Sequence, residues 1–424
     1  MPDIRPRIDE DRHLPPGAAG HIAACAEPLP DFEDPRFGRL FDRFGDARVV
    51  LLGASNHGAA EFCRARAAIT RWLVEKRGFN IVALEADASD TAVLDARAYG
   101  ERPPGAAFAG FPSWVWRNRE FDAFVDWLAD HNRGRGSAAR TSLHGLDRYD
   151  LSAAMAAALD HLRRVDPDAA AIARERYGCL RPWALDPEAF GRMPVSGRYA
   201  ACETAVTAML GEALARRLRE TEDASEAAAN ARLLRGADDH YRAMYYGGAD
   251  AWNRRSQHLF ETLDGLIEAR GGEAKAVVWA HNAQVGDARA VEMGHVRDEI
   301  SLGQLCREAW GEDARLIGFG AHAGRLACAA DWDAPLEIKA LEPSLPESLE
   351  RQSHNAGVGR FLLDLQPGVH GALRRALTDP RLERFIGAVY RPQSERWSHY
   401  AECRLAEQFD AWVWFDETTP VTPL

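Results

Sequence analysis

The chain has 424 residues, of which 46% are hydrophobic and 27% are charged, so it can bury a full core and is not expected to be disordered. Its formal net charge of −12 argues against nucleic acid and anionic membranes as partners. Seven scattered cysteines without a CxxC pair, a polar N-terminus and no membrane-spanning apolar run predict a soluble, cytoplasmic protein.

The N-terminal part of the chain contains the first candidate site. Residues 1–45 are rich in proline and acidic residues, and we predict an arm with short helices there. The first strand is predicted at 48–52, where an apolar β-branched run ends before Gly53. His57 follows in the turn, and the next helix is predicted to end at a C-cap glycine, Gly78. Loops at strand ends often hold functional residues, so His57 is a candidate, although capping or packing of the turn is the alternative.

The next two predicted strands have acidic residues at or near their ends. A buried strand is predicted at 79–87, with Glu85 near its end. A strand, a helix and a strand at this spacing predict a parallel, right-handed crossover. We therefore expect this strand beside the first one, with Glu85 and His57 in one crevice. Another strand is predicted at 141–147 and ends at Asp147.

The pattern changes after residue 150 and then resumes. Residues 151–270 are rich in alanine and lack β-branched runs, which predicts a helical insertion that forms a lid or wall, or simply stabilises the domain by packing. Further strands are predicted at 275–282, 316–319, 325–329, 384–390 and 411–415, the first of them ending in His281. The whole chain, 1–424, is predicted to be one α/β domain with a mostly parallel sheet of about seven or eight strands and helices on both faces.

Common catalytic motifs are absent from the sequence. It contains no GxGxxG after a strand and no GxxxxGK[ST], GxSxG or HExxH, so nucleotide-binding, serine-hydrolase and zincin functions have no support. The polar residues that remain at predicted strand ends, or on the first helix, are His57, Glu85, Asp147, His281 and Arg66. A histidine held by a carboxylate can act as a general base, and an arginine can stabilise an oxyanion. Structural roles for the same residues remain possible.

Short segments along nearly the whole chain carry a family resemblance. They are His57-Gly58, Glu61-Phe62, Leu84-Glu-Ala-Asp87, Phe111-Pro-Ser-Trp114, Gly145-Leu-Asp147, Trp252-Asn-Arg254, Val278-Trp-Ala-His-Asn282, Ser398-His-Tyr400 and Gln408-Phe-Asp410. Together they resemble the erythromycin esterase family, and within it the branch described as succinoglycan-biosynthesis-like. The resemblance implies an α/β domain with a helical excursion, and a crevice in which a histidine activates water to attack an ester or lactone. It implies an essential histidine at His57, a supporting carboxylate at Glu85, an arginine at Arg66 and a second histidine at His281.

Two positions and one segment depart from the family pattern. Ala54 stands where the family has a glutamate before the first histidine, and Gln284 stands where it has a histidine after the late strand. The segment 318–327 carries His322 and Arg325 instead of threonines. A glutamine can form hydrogen bonds but cannot titrate, so a proton carrier is lost. The residues predicted to bind substrate are Asp147, Gln284, His322 and Arg325.

Three functions are compatible with these residues. The first is a hydrolase of a small-molecule ester or lactone, with His57 as the base, Glu85 orienting it, and Arg66 and His281 stabilising negative charge. The second is a repurposed enzyme of secondary metabolism that catalyses a non-hydrolytic cyclisation, elimination or rearrangement. The third is a non-catalytic binder of a small molecule. A metal held by two histidines and a carboxylate is the less favoured alternative, so no cofactor is predicted. The substrate and the oligomeric state are left open.

Overall fold

The computed structural model describes residues 18–101, 107–110, 112–136, 139–147, 249–331 and 334–424. Its strands are β1 Glu27–Pro28, β2 Val49–Leu52, β3 Ile81–Asp87, β4 Ser142–Asp147, β5 Ala276–Trp279, β6 Ala314–Ala329, β7 Leu336–Leu341, β8 Arg360–Asp364, β9 Arg381–Arg384, β10 Tyr400–Cys403 and β11 Ala411–Thr418. Its α-helices are α1 Ala18–Cys25, α2 Pro35–Arg39, α3 Ala60–Arg77, α4 Ala88–Ala98, α5 Arg119–Asn132, α6 Ala249–Arg270, α7 Asn282–Val285, α8 Glu292–Arg297, α9 Leu302–Trp310, α10 Leu349–Asn355, α11 Gly371–Ala376, α12 Glu395–Ser398 and α13 Leu405–Gln408.

A mostly parallel sheet forms the centre of the fold. Its strand order is β1-β8-β11-β6-β2-β5-β3-β4, and β7 pairs with part of β6. The neighbours from β4 to β11 run parallel, whereas the pairs β11–β8, β8–β1 and β6–β7 are antiparallel. The predicted α/β class with a mostly parallel sheet is confirmed. The sheet has nine strands rather than seven or eight, and β9 and β10 form a separate pair.

The central strand β2 is buried on both faces. Val50 and Leu52 pack into the core cluster that contains the apolar face of α3, whereas Val49 and Leu51 pack into the cluster that contains α6 and α9. A strand covered by helices on both faces needs apolar residues at successive positions, which is why this run shows no alternation. The predicted placement of helices on both faces is therefore confirmed.

Helix α3 follows the pattern expected from its sequence. Phe62, Ile69 and Leu73, which define the predicted apolar face, are fully buried. The helix ends at Gly78, whose φ of 74° is left-handed and whose N–H donates to the carbonyl of Leu73. Glycine reaches this conformation without steric cost, so the predicted C-cap is confirmed.

Two of the strand predictions need correction. The segments predicted as separate strands at 316–319 and 325–329 form one strand, β6, which has 16 residues. Its first part pairs with β2, and the part after Gly324 pairs with β7. Gly324 has a φ of 121°, a backbone conformation that suits glycine and lets one strand serve two pairings.

The predicted strand at 384–390 does not join the main sheet. Only Arg384 belongs to a strand, β9, which pairs with β10. Farther along this segment, the N–H of Ile386 donates to the carbonyl of Ser55 at 2.8 Å. Ile386 and Tyr390 are buried, and the segment is linked to its neighbours by single β-bridges, Asn56 with Ile386 and Ala329 with Val389, rather than by a continuous strand.

Parts of the domain prediction fall outside the described residues. These are residues 1–17 of the predicted arm and residues 151–248 of the predicted insertion. The remainder of the arm contains α1, α2 and β1, which pairs with β8, and α6 is the described part of the insertion. Arm, insertion and single-domain organisation therefore stay predictions. Among the described helices, none is both long and apolar enough to cross a membrane.

Candidate functional site

Four of the predicted site residues lie at the carboxyl ends of neighbouring parallel strands. His57 follows β2, His281 follows β5, Glu85 is near the end of β3, and Asp147 ends β4. The prediction that β3 lies beside β2 is wrong, because β5 lies between them. The topology thus places the second histidine between the first histidine and the carboxylate.

His57 is a half-buried imidazole beside His281. The two ring centroids are 5.0 Å apart, at an interplanar angle of 49°. Burial, followed by electrostatic interactions with the titratable His281 and with the positive charges of Arg66 and Arg255, holds the pKa of His57 well below its ordinary value of 6.5. No hydrogen bond to its ring nitrogens is found among the described residues. His57 is therefore a neutral imidazole near pH 7, able to accept a proton from a ligand.

The loop that carries His57 is held closely against the sheet. The Asn56 side-chain oxygen accepts the N–H of Gly58 at 3.0 Å. A Cβ at Gly58 would lie 1.9 Å from the carbonyl oxygen of Ala327 in β6, and a Cβ at Gly53 would lie 2.2 Å from Asn282 Oδ1. Glycines are required on both sides of His57 because the backbone approaches its neighbours too closely for a side chain.

His281 is fixed by the backbone around it. Its Nδ1 accepts the N–H of Ala283 at 3.2 Å as the N-cap of α7, and its Nε2 lies 3.1 Å from the carbonyl oxygen of Ile386. These partners assign the proton to Nε2, since a carbonyl can only accept. Burial lowers the pKa of His281. Both ring nitrogens are thus engaged, and His281 presents a neutral, immobile ring to His57.

Glu85 and Asp147 are joined by an arginine, Arg255 of α6, that the sequence analysis did not single out. Glu85 Oε2 accepts the backbone N–H of His281 at 2.7 Å, and its Oε1 accepts from Arg255 Nη2 at 2.7 Å. Arg255 Nε donates to Asp147 Oδ2 at 2.8 Å. Spacing along α6 gives no signal that separates Arg255 from the helix's other arginines; only its position next to the Trp252-Asn-Arg254 segment marked the region.

Arg66 is a buried cation in an aromatic environment. Its side chain lies over the rings of Trp279 and Trp116, at 4.9 Å and 5.8 Å from the guanidinium carbon to the ring centroids. Its Nε is buried without a hydrogen-bond partner among the described residues. Burial lowers the pKa of Arg66 to about 10, so it remains charged at neutral pH. The site therefore holds a charged donor with unused N–H capacity.

The two altered family positions are both buried. Gln284 is fully buried, and its Oε1 accepts from Leu302 N–H and from Ser256 Oγ, each at 3.1 Å. The carbonyl of Ala54, also fully buried, accepts the N–H of Asn282 at 2.9 Å. The side-chain carbonyl of Gln284 on α7 is thus hydrogen-bonded to both α6 and α9. A contact between Gln284 and the substrate stays a prediction.

His322 belongs to a different cluster from His57. Its Nδ1 lies 2.7 Å from Ser344 Oγ, and its ring stacks on His354 with centroids 3.8 Å apart. Burial and the neighbouring His354 lower the pKa of His322 to about 4. Arg325, on the second part of β6, is exposed. In the described part of the chain, no hydrogen bond or ring contact joins either predicted substrate-binding residue to the two site histidines.

The possibility of a metal centre can be tested on geometry. Among the described residues, no group of three or more His, Cys, Asp or Glu side chains is arranged to hold a metal ion. The ring of His281 has its acceptor nitrogen occupied by the Ala283 N–H, and Glu85 has both oxygens hydrogen-bonded. Of the two histidines and the carboxylate, His281 and Glu85 are therefore already engaged with the protein.

The comparison with known families decides the identity of the fold. The erythromycin esterase family matches residues 74–418. The chain belongs to the erythromycin esterase family.

Solved structures share this fold at low sequence identity. A succinoglycan biosynthesis protein is 20% identical, with a TM-score of 0.79 over 96% of this chain and 97% of that one. A Bacillus cereus protein is 18% identical, with a TM-score of 0.79 over 96% and 98%. A histidine-to-asparagine mutant of erythromycin esterase EreC, in its open conformation, is 18% identical, with a TM-score of 0.68 over 93% and 98%. At these identities, the likeness shows the fold.

Proposed function

We propose that this protein is a hydrolase of a small-molecule ester or lactone, with His57 as the general base. Membership of the erythromycin esterase family supports an esterase-like enzyme. One observation selects the base. His281 has both ring nitrogens hydrogen-bonded to backbone, whereas His57 is neutral, half-buried and without a described hydrogen bond. Of the two histidines, His57 is the one available to a water molecule.

In the proposed reaction, His57 accepts a proton as water attacks the carbonyl carbon of the substrate. The carbonyl oxygen becomes an oxyanion, and Arg66, which is charged and whose Nε–H has no partner among the described residues, stabilises it. When the C–O bond to the leaving group breaks, protonated His57 returns the proton to the departing alkoxide. The lowered pKa of His57 keeps the imidazole neutral at pH 7 and makes its conjugate acid a stronger proton donor in the second step.

Glu85 supports this site indirectly in the proposal. No described hydrogen bond joins Glu85 to His57, and its two oxygens bind the backbone of His281 and the side chain of Arg255. We therefore assign Glu85 the role of fixing the strand-end backbone next to His57, in place of the direct orientation of His57 that the sequence suggested. His281 then serves as a rigid neutral wall of the crevice.

The proposal is tested by hydrolysis assays on a panel of aryl esters, lactones and macrolides. His57→Ala should lower kcat/KM by about a hundredfold or more, the usual contribution of a general base. The matched control is His295→Ala, which changes an exposed histidine on α8. Hydrolysis by the parent that survives unchanged in His57→Ala would remove His57 as the base.

A second candidate is a non-hydrolytic enzyme of secondary metabolism. It is favoured by the residue types at positions 54 and 284, because neither alanine nor glutamine has a titratable group to hold or deprotonate water. The Gln284 side-chain oxygen is, in addition, already occupied by two hydrogen bonds. The double variant Ala54→Glu with Gln284→His discriminates the two candidates. Ester hydrolysis that appears only in this variant supports the non-hydrolytic enzyme, and a parent that binds ligands without turning over any would support a non-catalytic binder.

A further inference from the structure

Arg255 lies at a junction between the sheet and α6. Its guanidinium binds Asp147 through Nε at 2.8 Å and also through Nη2, which in addition reaches Glu85 Oε1 at 2.7 Å. The side chains are largely buried, with 13% of Arg255, 7% of Glu85 and 2% of Asp147 exposed. One planar cation therefore joins the carboxylates that end two adjacent strands.

The consequences for Glu85 follow from its two hydrogen bonds. One oxygen accepts from Arg255 and the other accepts the N–H of His281, so both oxygens of the carboxylate are held. Without the arginine, Glu85 and Asp147 would be two neighbouring buried carboxylates whose mutual repulsion opposes this arrangement. The backbone N–H of His281, whose ring lies 5.0 Å from that of His57, would lose its fixed acceptor.

We propose that Arg255 is a positioning residue of the site: it fixes Glu85, and through Glu85 the backbone of His281 and the surroundings of His57. The proposal rests on the proposed function only in treating His57 as the reactive group. Arg255 is not required to touch the substrate. Because Arg255 lies on α6, the packing of α6 against the sheet sets the position of Glu85, and Glu85 in turn holds the strand end that carries His281.

The charge of Arg255 also acts on His57. The charged or titratable groups that face His57 are His281 after β5, Arg66 on α3 and Arg255 on α6, and all three oppose its protonation. Glu85, on β3, favours the protonated form of His281 instead. Removal of the Arg255 charge should therefore raise the pKa of His57, whereas a lysine at this position retains the charge but loses the planar fork that binds both carboxylates.

The experiment uses full-length protein labelled with ¹⁵N only at its histidines, so that one sample reports the His57 ring and the His281 amide by NMR. His57→Asn and His281→Asn identify the two sets of signals. The variants are Arg255→Met and Arg255→Lys, with Arg254→Met as the control on an exposed neighbour in the same helix. No substrate is needed, so a failure of the hydrolase proposal leaves this test intact.

We expect Arg255→Met to raise the His57 titration midpoint and to speed exchange of the His281 amide by about tenfold, the equivalent of one net hydrogen bond. Arg255→Lys should keep the parent's titration but show faster amide exchange, and Arg254→Met should match the parent in both. A folded Arg255→Met protein with parental amide exchange overturns the positioning role, whatever its titration.

A second variant covers the case in which Arg255→Met fails to fold. Combining Arg255→Met with Asp147→Asn removes one of the two carboxylates that would otherwise remain buried together. Compared with Asp147→Asn alone, the double variant should still show faster His281 amide exchange and a higher His57 titration midpoint. Equal exchange in these two proteins would also overturn the proposal.

Discussion

Among the glycines that the structure describes, Gly58 is the one whose replacement by alanine should disturb the His57 loop most. The new Cβ would lie 1.9 Å from the carbonyl oxygen of Ala327, about 1.5 Å short of the 3.4 Å at which ordinary contact begins. Both sides of this contact are backbone, and the Gly58 carbonyl also accepts the N–H groups of Ala327 and Val421. Neither side can yield as a flexible side chain would, so the loop must move away from β6.

The expected effects are about 1–3 kcal/mol of lost stability, as for other overpacked sites, and about a hundredfold lower kcat/KM, the usual result of moving a reacting group by 1 Å. Urea unfolding measures the first effect, and ester hydrolysis measures the second. The control is Gly265→Ala on α6, where a Cβ meets nothing within 4 Å. Parental stability and turnover in Gly58→Ala would refute the argument that this close approach positions His57.

Three further predictions follow from the charges of the site and the core. The kcat/KM of hydrolysis should stay level as the pH falls through 6.5, because the lowered pKa keeps His57 neutral there. A pH profile in which kcat/KM falls with a midpoint at or above 6.5 would contradict His57 as a base with a lowered pKa. Arg66→Met should lower kcat/KM by about a hundredfold with little change in KM, whereas the exposed Arg64→Met should not. Burial raises the pKa of Glu383 from 4.5 to about 8. The unfolded chain therefore releases this proton at lower pH than the folded protein, and the free energy of unfolding should fall as the pH rises between those values. Urea unfolding at pH 5 and pH 8 should show a smaller fall in the free energy of unfolding for Glu383→Gln than for the parent.

Much of the site could be predicted because its residues follow apolar strands. His57, Glu85, Asp147 and His281 each come at the end of a run whose burial the sequence makes plain. The residues that connect them could not be found in this way. Arg255 reaches Glu85 from 170 positions away, and Gln284 is bound by groups on two other helices. Such contacts depend on how helices dock, and no local periodicity encodes them.

The sequence by itself determined the local elements: the apolar strands, the α3 face, the Gly78 cap and the family. The elements depend on residues within a few positions of one another, where backbone sterics and hydrophobic period are sufficient, whereas the family is indicated by short segments spread along the chain. Only the tertiary structure decided that β5 lies between β2 and β3, so that Glu85 binds the His281 backbone and Arg255. Strand order results from the packing of the whole sheet, because a late strand can insert between two early ones whenever that buries both of its faces.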